Sequence, residues 1–413
     1  MLWCQGERGE SSDNRWSDYI GYIGYKSSQY RKLERREKIA GVLLNIIDVD
    51  PTAHNSSICR IIIALVKAYV NWLKRAKINF MNLGFWGKLN KPIMALAPMA
   101  DVTDMAFREM FARYGKPDVM FTEFVSVDGL ISAGQKNLMR ELAFSEAQRP
   151  IVAQIWGRDP KKYFLSAQII AKLGFDGIDI NMGCPQRKEI SLGTCAALIR
   201  NHDLAKEIIR QTKLGAGKLP VSVKTRIGYN TIETEDWVGF LLDQDLAAII
   251  LHARTKQEMS KVPAHWNEIT KAVNLRNRRG SGTLILGNGD IKTLAEAREK
   301  SKQTGADGVM IGRGAFGKPW FFDNRLSEEE IPIEKRLKVM TEHSELFEKV
   351  FNSPSPQSSP TRGEEIKRKN FSVMKKHFKA YVSGFSGASE LRAKLMNTNS
   401  SENAAEIVRS FFV

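Results

Sequence analysis

Gly177–Arg200, GIDINMGCPQRKEISLGTCAALIR, is the stretch on which the reading of the fold turns. Gly177 to Asn181 is a short apolar, Ile-rich run of the kind that forms a buried strand. Met182-Gly183-Cys184-Pro185 stops it, because Pro185 has no amide to carry a ladder further. A thiol is thereby set at the C-terminal end of a strand. Free cysteine titrates near ~8.5, so Cys184 reads as a mostly protonated thiol at neutral pH, able to give a proton or to act as a nucleophile. Taken alone, Gly-Cys-Pro reads more simply as a buried cysteine beside a turn, and its neighbours have to decide.

Outward from this stretch a rhythm appears. Strand-like runs fall at Ile93–Ala97, Val119–Glu123, Ile151–Ile155, Gly177–Asn181, Val221–Arg226, Ala248–His252, Thr283–Gly287 and Gly308–Ile311. Helix-patterned stretches lie between them, among them Asp104–Tyr114, Pro160–Leu173, Asp203–Thr212, Glu233–Leu242 and Leu294–Thr304. Repeated strand–helix units predict a parallel sheet, and eight of them match an α/β TIM barrel better than an open doubly wound sheet. After Phe322 the pattern is helical: Ile333–Val350, a Pro- and Ser-rich linker at 352–365 that reads as a flexible insertion, then Ile366–Val382 and a last helical pair. The expected division is an extension of unassigned role at 1–80, a catalytic barrel at 81–325, and a small basic α-helical domain at 331–413.

Composition sets outer bounds. The 413 residues are 43% hydrophobic and 26% charged, as in ordinary globular chains, and the 62 Lys and Arg against 46 Asp and Glu leave a net charge of +16. That balance favours polyanionic partners such as nucleic acid. The tail from 331 holds 14 basic against 9 acidic residues, so the excess is dense there. The four cysteines, Cys4, Cys59, Cys184 and Cys195, have neither metal-ligand spacing nor the look of a disulfide framework, which points to a reducing cytoplasm and to no metal. The apolar run Ile58–Leu73 is interrupted by Arg60 and Lys67, so no membrane segment is expected.

A TIM barrel builds its active site at the C-terminal ends of its strands, and here those ends are rich in amides and cations. In strand order they offer Pro98-Met99-Ala100, Gln154, Asn181 with Cys184, Lys224 with Arg226, His252 with Arg254, Gly287-Asn288-Gly289-Asp290, and Gly312-Arg313-Gly314. The last two loops together read as a phosphate site of backbone amides and one guanidinium. Singly, Lys224 is as well read as an ion-pair lysine and His252 as a hydrogen-bonded core-edge histidine. Thr103 and Asp104 most simply cap the helix that follows.

These residues stand in motifs: APMADVTDMAFR (97–108), NMGCP (181–185), VSVKTRIG (221–228), HART (252–255), GNGDI (287–291), GRGAFGKPW (312–320) and, in the tail, MKKHFKAYVSGFSGASELR (374–392). In them the chain resembles the FMN-dependent tRNA-dihydrouridine synthases of bacteria. The resemblance implies that Pro98, Met99, Ala100, Gln154, Lys224, His252, Asn288, Gly289, Asp290, Gly312 and Arg313 hold FMN. It also implies that Asn181, Arg226 and Arg254 meet the substrate and that NADPH re-reduces the flavin. Cys184 becomes the proton donor to uracil C5 after a hydride reaches C6. The target uridine would be swung out of a folded tRNA, gripped by the basic tail, and the enzyme would act as a monomer. One departure is local: Leu192-Gly193-Thr194-Cys195 puts a bulkier residue where the family's Gly-x-Gly loop has a glycine. Two other readings stay open on the sequence, an FMN barrel acting on a free pyrimidine in the manner of dihydroorotate dehydrogenases, and a catalytically silent tRNA binder.

Overall fold

Burial on both sides explains why the eight runs become strands, since it removes alternation and leaves nearly continuous Ile, Val, Leu and Ala. They are β1 (Ile93–Leu96), β2 (Met120–Phe121), β3 (Ile151–Trp156), β4 (Gly177–Met182), β5 (Val221–Arg226), β6 (Ala248–His252), β7 (Leu284–Asn288) and β8 (Gly308–Ile311). The structure, a computed structural model, describes residues 82–325, 331–351 and 369–412; the 1–80 extension and the 352–365 linker fall outside those residues. All pairings are parallel, in the order β1-β8-β7-β6-β5-β4-β3-β2. A bridge between Ala95 and Val119 closes the ring, with the Leu96 amide donating to Val119 O at 2.9 Å. Asp118 strengthens this seam, its carboxylate accepting the Met94 amide at 2.7 Å while its own amide donates to Met94 O at 2.9 Å. The TIM barrel expected from the sequence is the fold observed.

The second stave departs from the expected Val119–Glu123. It is broken into β2 and a two-residue piece, Val125–Ser126, both paired with β3. Between them the Thr122 hydroxyl, rather than a backbone carbonyl, accepts the Gln154 amide at 3.1 Å.

The outer helices are α1 (Met105–Tyr114), α2 (Pro160–Lys172), α3 (His202–Ala216), α4 (Thr234–Leu242), α5 (Trp266–Arg279) and α6 (Leu294–Thr304). Asp104 caps α1 as expected, its carboxylate accepting from Phe107 N at 3.0 Å, and Asp159, Asn201 and Thr293 cap α2, α3 and α6 in the same way. Helix α5 was not singled out by the sequence, and its start has no side-chain cap.

The tail helices are α7 (Ile333–Phe351), α8 (Met374–Tyr381), α9 (Ala388–Leu395) and α10 (Ser401–Phe411). The helix expected from Ile366 begins later, after a 3₁₀ turn at Phe371–Val373 capped by Asn370; residues 366–368 are outside the described residues. Leu337, Met340, Ser344, Phe347 and Phe351 make the 3–4 stripe by which α7 enters the core. Helix α1 is buried on two faces. Phe107 and Phe111 pack into the barrel layer, while Ala106 and Met110 join the tail's core with Trp320, Met340 and Phe378.

At that junction His343 of α7 and His377 of α8 are fully buried, edge to face at 4.7 Å between ring centroids and in contact with Phe107. Burial pushes His343 down to about 3 and His377 well below its ordinary value, so both rings are neutral. The unfolded chain takes up protons near pH ~6.5 that the folded chain refuses, so this stability is full above that pH and is lost below it, by about 1.4 kcal/mol per pH unit for each ring. Urea unfolding is expected to show a steep loss between about pH 7 and pH 5, and His343→Leu with His377→Leu is expected to flatten the slope. An equally steep slope in the double variant would remove the histidines as its cause.

Candidate active site

Strand register places polar side chains beside one another on the inner face of the barrel. Gln154 lies opposite Asp179, Asp179 opposite Ser222, and Asn181 opposite Lys224. A buried chain of hydrogen bonds follows. Ser222 Oγ donates to Asp179 Oδ1 at 2.6 Å, Gln154 Nε2 to Asp179 Oδ2 at 2.7 Å, and Asn181 Nδ2 to Gln154 Oε1 at 3.0 Å. Asn181 Oδ1 then accepts the amides of Gly183 and Cys184 at 3.1 and 3.0 Å. The turn that carries Cys184 is therefore built on side chains from three strands. Burial pushes the Asp179 carboxyl up to about 6, against its bonds from Ser222 and Gln154.

Asp179 and Ser222 were missed by the sequence reading. Their signal was a carboxylate two residues before Asn181 in an otherwise apolar strand, which period two puts on the same face.

Cys184 is half-buried at the rim, and cations gather around it. Lys224 Nζ donates to Asn288 Oδ1 at 3.3 Å, and Asn288 Nδ2 is anchored on Met310 O at 2.8 Å. Burial, with Arg226 nearby, lowers Lys224 to about 8, so it keeps its proton at neutral pH by a narrow margin. His252 lies opposite both Arg226 and Asn288 in register. Burial and then Arg226, Lys224, Arg254 and Arg313 hold it well below its ordinary value, hence neutral. Arg254 Nη1 sits 3.3 Å from His252 Nε2; a guanidinium only donates, so Nε2 accepts and the ring proton is on Nδ1. Asp290 joins the last loops, bonding Arg254 and accepting from Arg313 at 3.2 Å. Gly289, at φ +141°, has no room for a side chain, since a Cβ there would lie 2.8 Å from Ala264 Cβ.

The expected flavin-site residues are thus brought to one rim. Met99 reaches Gly312, whose added Cβ would lie 3.6 Å from Met99 Sδ, and Pro98 and Ala100 flank it. An ammonium bonded to a carboxamide, an exposed Arg313 and side-chain-free Gly289 and Gly312 fit an acceptor-rich, phosphate-bearing group. Arg226 and Arg254, expected to meet substrate, are engaged with the rim loops in this structure. Arg226 is buried, donating to Gly183 O at 2.7 Å, Thr255 O at 2.9 Å and Met259 O at 3.1 Å. Arg254, 2% exposed, donates to Val262 O at 2.6 Å as well as to Asp290. Both brace the rim loops from behind.

A cleft of about 700 Å³ opens at the opposite rim between Lys91, Asp118, Arg298 and Lys302, and no strand end carrying a thiol or imidazole faces it. Among the described residues no group of His, Cys, Asp and Glu is arranged to hold a metal, and no helix is long and apolar enough to cross a membrane.

The family described as dihydrouridine synthase matches residues 95–412. A "Probable tRNA-dihydrouridine synthase" of Staphylococcus aureus is 40% identical over 333 residues, 80% of this chain and 96% of the relative. A "Probable tRNA-dihydrouridine synthase 2" of Bacillus subtilis is 38% identical over 333 residues, 80% of this chain and 97% of the relative.

Removing the Asn181 carboxamide leaves two backbone amides and Gln154 Oε1 without their partners. Asn181→Ala is expected to destabilise the chain by about 1–3 kcal/mol in urea unfolding, with the far-ultraviolet spectrum retained. A loss below about 0.5 kcal/mol would mean that the buried chain does not hold the Cys184 turn.

Proposed function

The chain belongs to the dihydrouridine synthase family, and on that premise we propose that it reduces uridines in tRNA to 5,6-dihydrouridine, with FMN as the flavin, NADPH as its reductant and Cys184 as the proton donor. The observation that carries this reading is the half-buried Cys184 on a side-chain-braced turn, beside a rim of cations delivered by three strand ends.

Lys224, His252, Asn288, Gly289, Asp290 and Arg313, with Pro98, Met99, Ala100, Gln154 and Gly312, are the residues that would hold the flavin. When bound, that group supplies the hydride. The chain's own residues do the rest. Lys224 presents an ammonium to acceptor atoms at the mouth, and neutral His252 presents Nδ1–H. Arg313, 67% exposed in its side chain, is placed to take phosphate oxygens. Asn181 holds the Cys184 amide, so the sulfur stays at the rim while the base is above it.

The protonated form of Cys184 gives its thiol proton to the uracil C5, made basic by its neighbouring carbonyl. The thiolate left on Cys184 lies close enough to Arg226 to be favoured by its charge. Arg226 and Arg254 position the loops rather than touch RNA. The tail from 331 supplies positive charge for the RNA backbone, a contribution that weakens with salt.

The test is a visible spectrum of the purified protein, with NADPH and then unmodified tRNA added to the same cuvette. A flavin band that bleaches and recovers on adding tRNA is expected. Cys184→Ala should keep the band and the bleaching while recovery slows about 10²–10⁴-fold. A colourless protein that binds tRNA would replace this reading with a silent binder, and recovery with free orotate but not tRNA would replace it with a pyrimidine dehydrogenase.

A further inference from the structure

The buried hydrogen-bond chain beneath the Cys184 turn can run in one direction only. Gln154, Asp179 and Ser222 are fully buried and Asn181 nearly so, so their polar atoms find partners inside the protein or not at all. At the rim end the amides of Gly183 and Cys184 can only donate, which obliges Asn181 to turn Oδ1 towards them and Nδ2 towards Gln154. Gln154 then offers Oε1 to Asn181 and has Nε2 left for position 179. The group at 179 has to accept. A carboxylate does so on both oxygens, from Gln154 Nε2 at 2.7 Å and from Ser222 Oγ at 2.6 Å. The carbonyls of the turn are held apart from this chain, Met182 O by Thr225 Oγ1 at 3.0 Å and Gly183 O by Arg226 Nε at 2.7 Å. Its amides are the part that answers to Asn181.

We propose that Asp179 is a positioning residue for Cys184: as the acceptor at the inner end of the chain it fixes which way the Gln154 and Asn181 carboxamides face, and through them holds the thiol turn at the rim. The inference rests on the reading of Cys184 as proton donor. A Gln154 carboxamide turned over would set its N–H groups against those of Asn181, and a turned Asn181 would set its own against the amides of Gly183 and Cys184. Only an acceptor at 179 removes both faults at once. The same geometry gives Ser222 a use. Burial raises Asp179 to about 6, against Ser222, Gln154 and Lys224. When the carboxyl takes up a proton on Oδ1, the Ser222 hydroxyl can receive it while Oδ2 still accepts Gln154. The chain therefore keeps its direction in either state of the acid.

The experiment reverses the chain. In each holoenzyme, flavin bleaching by NADPH and recovery with saturating unmodified tRNA are followed by stopped flow, and the urea unfolding midpoint is measured beside them. Asn181→Asp keeps an acceptor for the two amides but loses the N–H that Gln154 receives, so no direction of the chain satisfies every member. Recovery is expected to slow about tenfold or more, NADPH bleaching to change less, and the urea midpoint to fall. Adding Asp179→Asn supplies a donor at the inner end: Gln154 can then turn over, and Ser222 Oγ still donates to the carboxamide oxygen at 179. This double variant should recover to within about threefold of wild type and regain its urea midpoint. Asp179→Asn alone should stay near wild type, its oxygen accepting from Gln154 and its N–H meeting Ser222 Oγ. Asn181→Asp with Asp179→Leu removes the same charge without supplying a donor, and should be as slow as Asn181→Asp alone. No rescue by Asp179→Asn, or equal rescue by Asp179→Leu, would overturn the proposal. The urea midpoints read the chain without turnover, so their rescue in a protein whose flavin never recovers with tRNA would count against the proposed activity alone.

Discussion

A parallel ring must close on itself, and here the join between β1 and β2 is the constraint on which the rest depends. Strand β2 is only two residues long, so a conventional ladder cannot make the seam. One bridge and the side chain of Asp118 make it instead, the carboxylate standing in for a carbonyl opposite Met94. Once the ring is shut, register follows around it, and every strand end arrives at one rim. The contacts that matter for chemistry, Gln154 to Asp179 to Ser222 and Arg226 to His252 to Asn288, are nearest neighbours in that register.

Electrostatics divides the molecule into two unlike regions. At the rim, burial and then the cations Arg226, Lys224, Arg254 and Arg313 keep His252 neutral, and burial with Arg226 beside it brings Lys224 near to losing its proton. At the junction with the tail the balance reverses. Lys369 meets Glu123 at 2.8 Å, Asp104 at 3.4 Å and Glu141 at 3.6 Å. Burial, with Glu141 beside it, raises Glu123 to about 8, while the three carboxylates hold Lys369 above its ordinary range against the effect of its burial. Nearby Arg108, wholly buried, is satisfied by Gln148 and by the carbonyls of Thr103 and Ala143.

Local pattern carried most of the fold. Val221–Arg226, Ala248–His252 and Gly308–Ile311 were read with their observed limits, because apolar runs bounded by turn residues need no knowledge of what lies across from them. The break in the second stave was hidden, since it depends on a side-chain bond from Thr122 to a residue 32 positions away. The site divides in the same way. Cys184, Lys224, His252 and Asp290 could be read as strand-end residues, whereas Asp179 and Ser222 act only through partners 25 and 43 positions distant. Arg226 and Arg254 were legible as cations at the barrel mouth, but the carbonyls they hold, those of Gly183 and Val262, were not. At Cys195 the sequence showed a bulky residue where a glycine was expected, and the positive φ is the physical content of that expectation.

Helix α1 has one further consequence, and it concerns synthesis. On its barrel face Phe107 meets Phe316, His343 and His377, and Ala106 and Met110 are covered by the tail helices, all of them made after the eighth strand. The bond from Tyr114 to Glu342 spans 228 residues, which a ribosome adds in on the order of ten to fifty seconds. For that interval the first strand–helix unit carries a bare apolar stripe. The tail therefore serves the barrel as a late-arriving cover, and a truncated message would release a chain with that stripe unprotected, a ready target for chaperones and proteases.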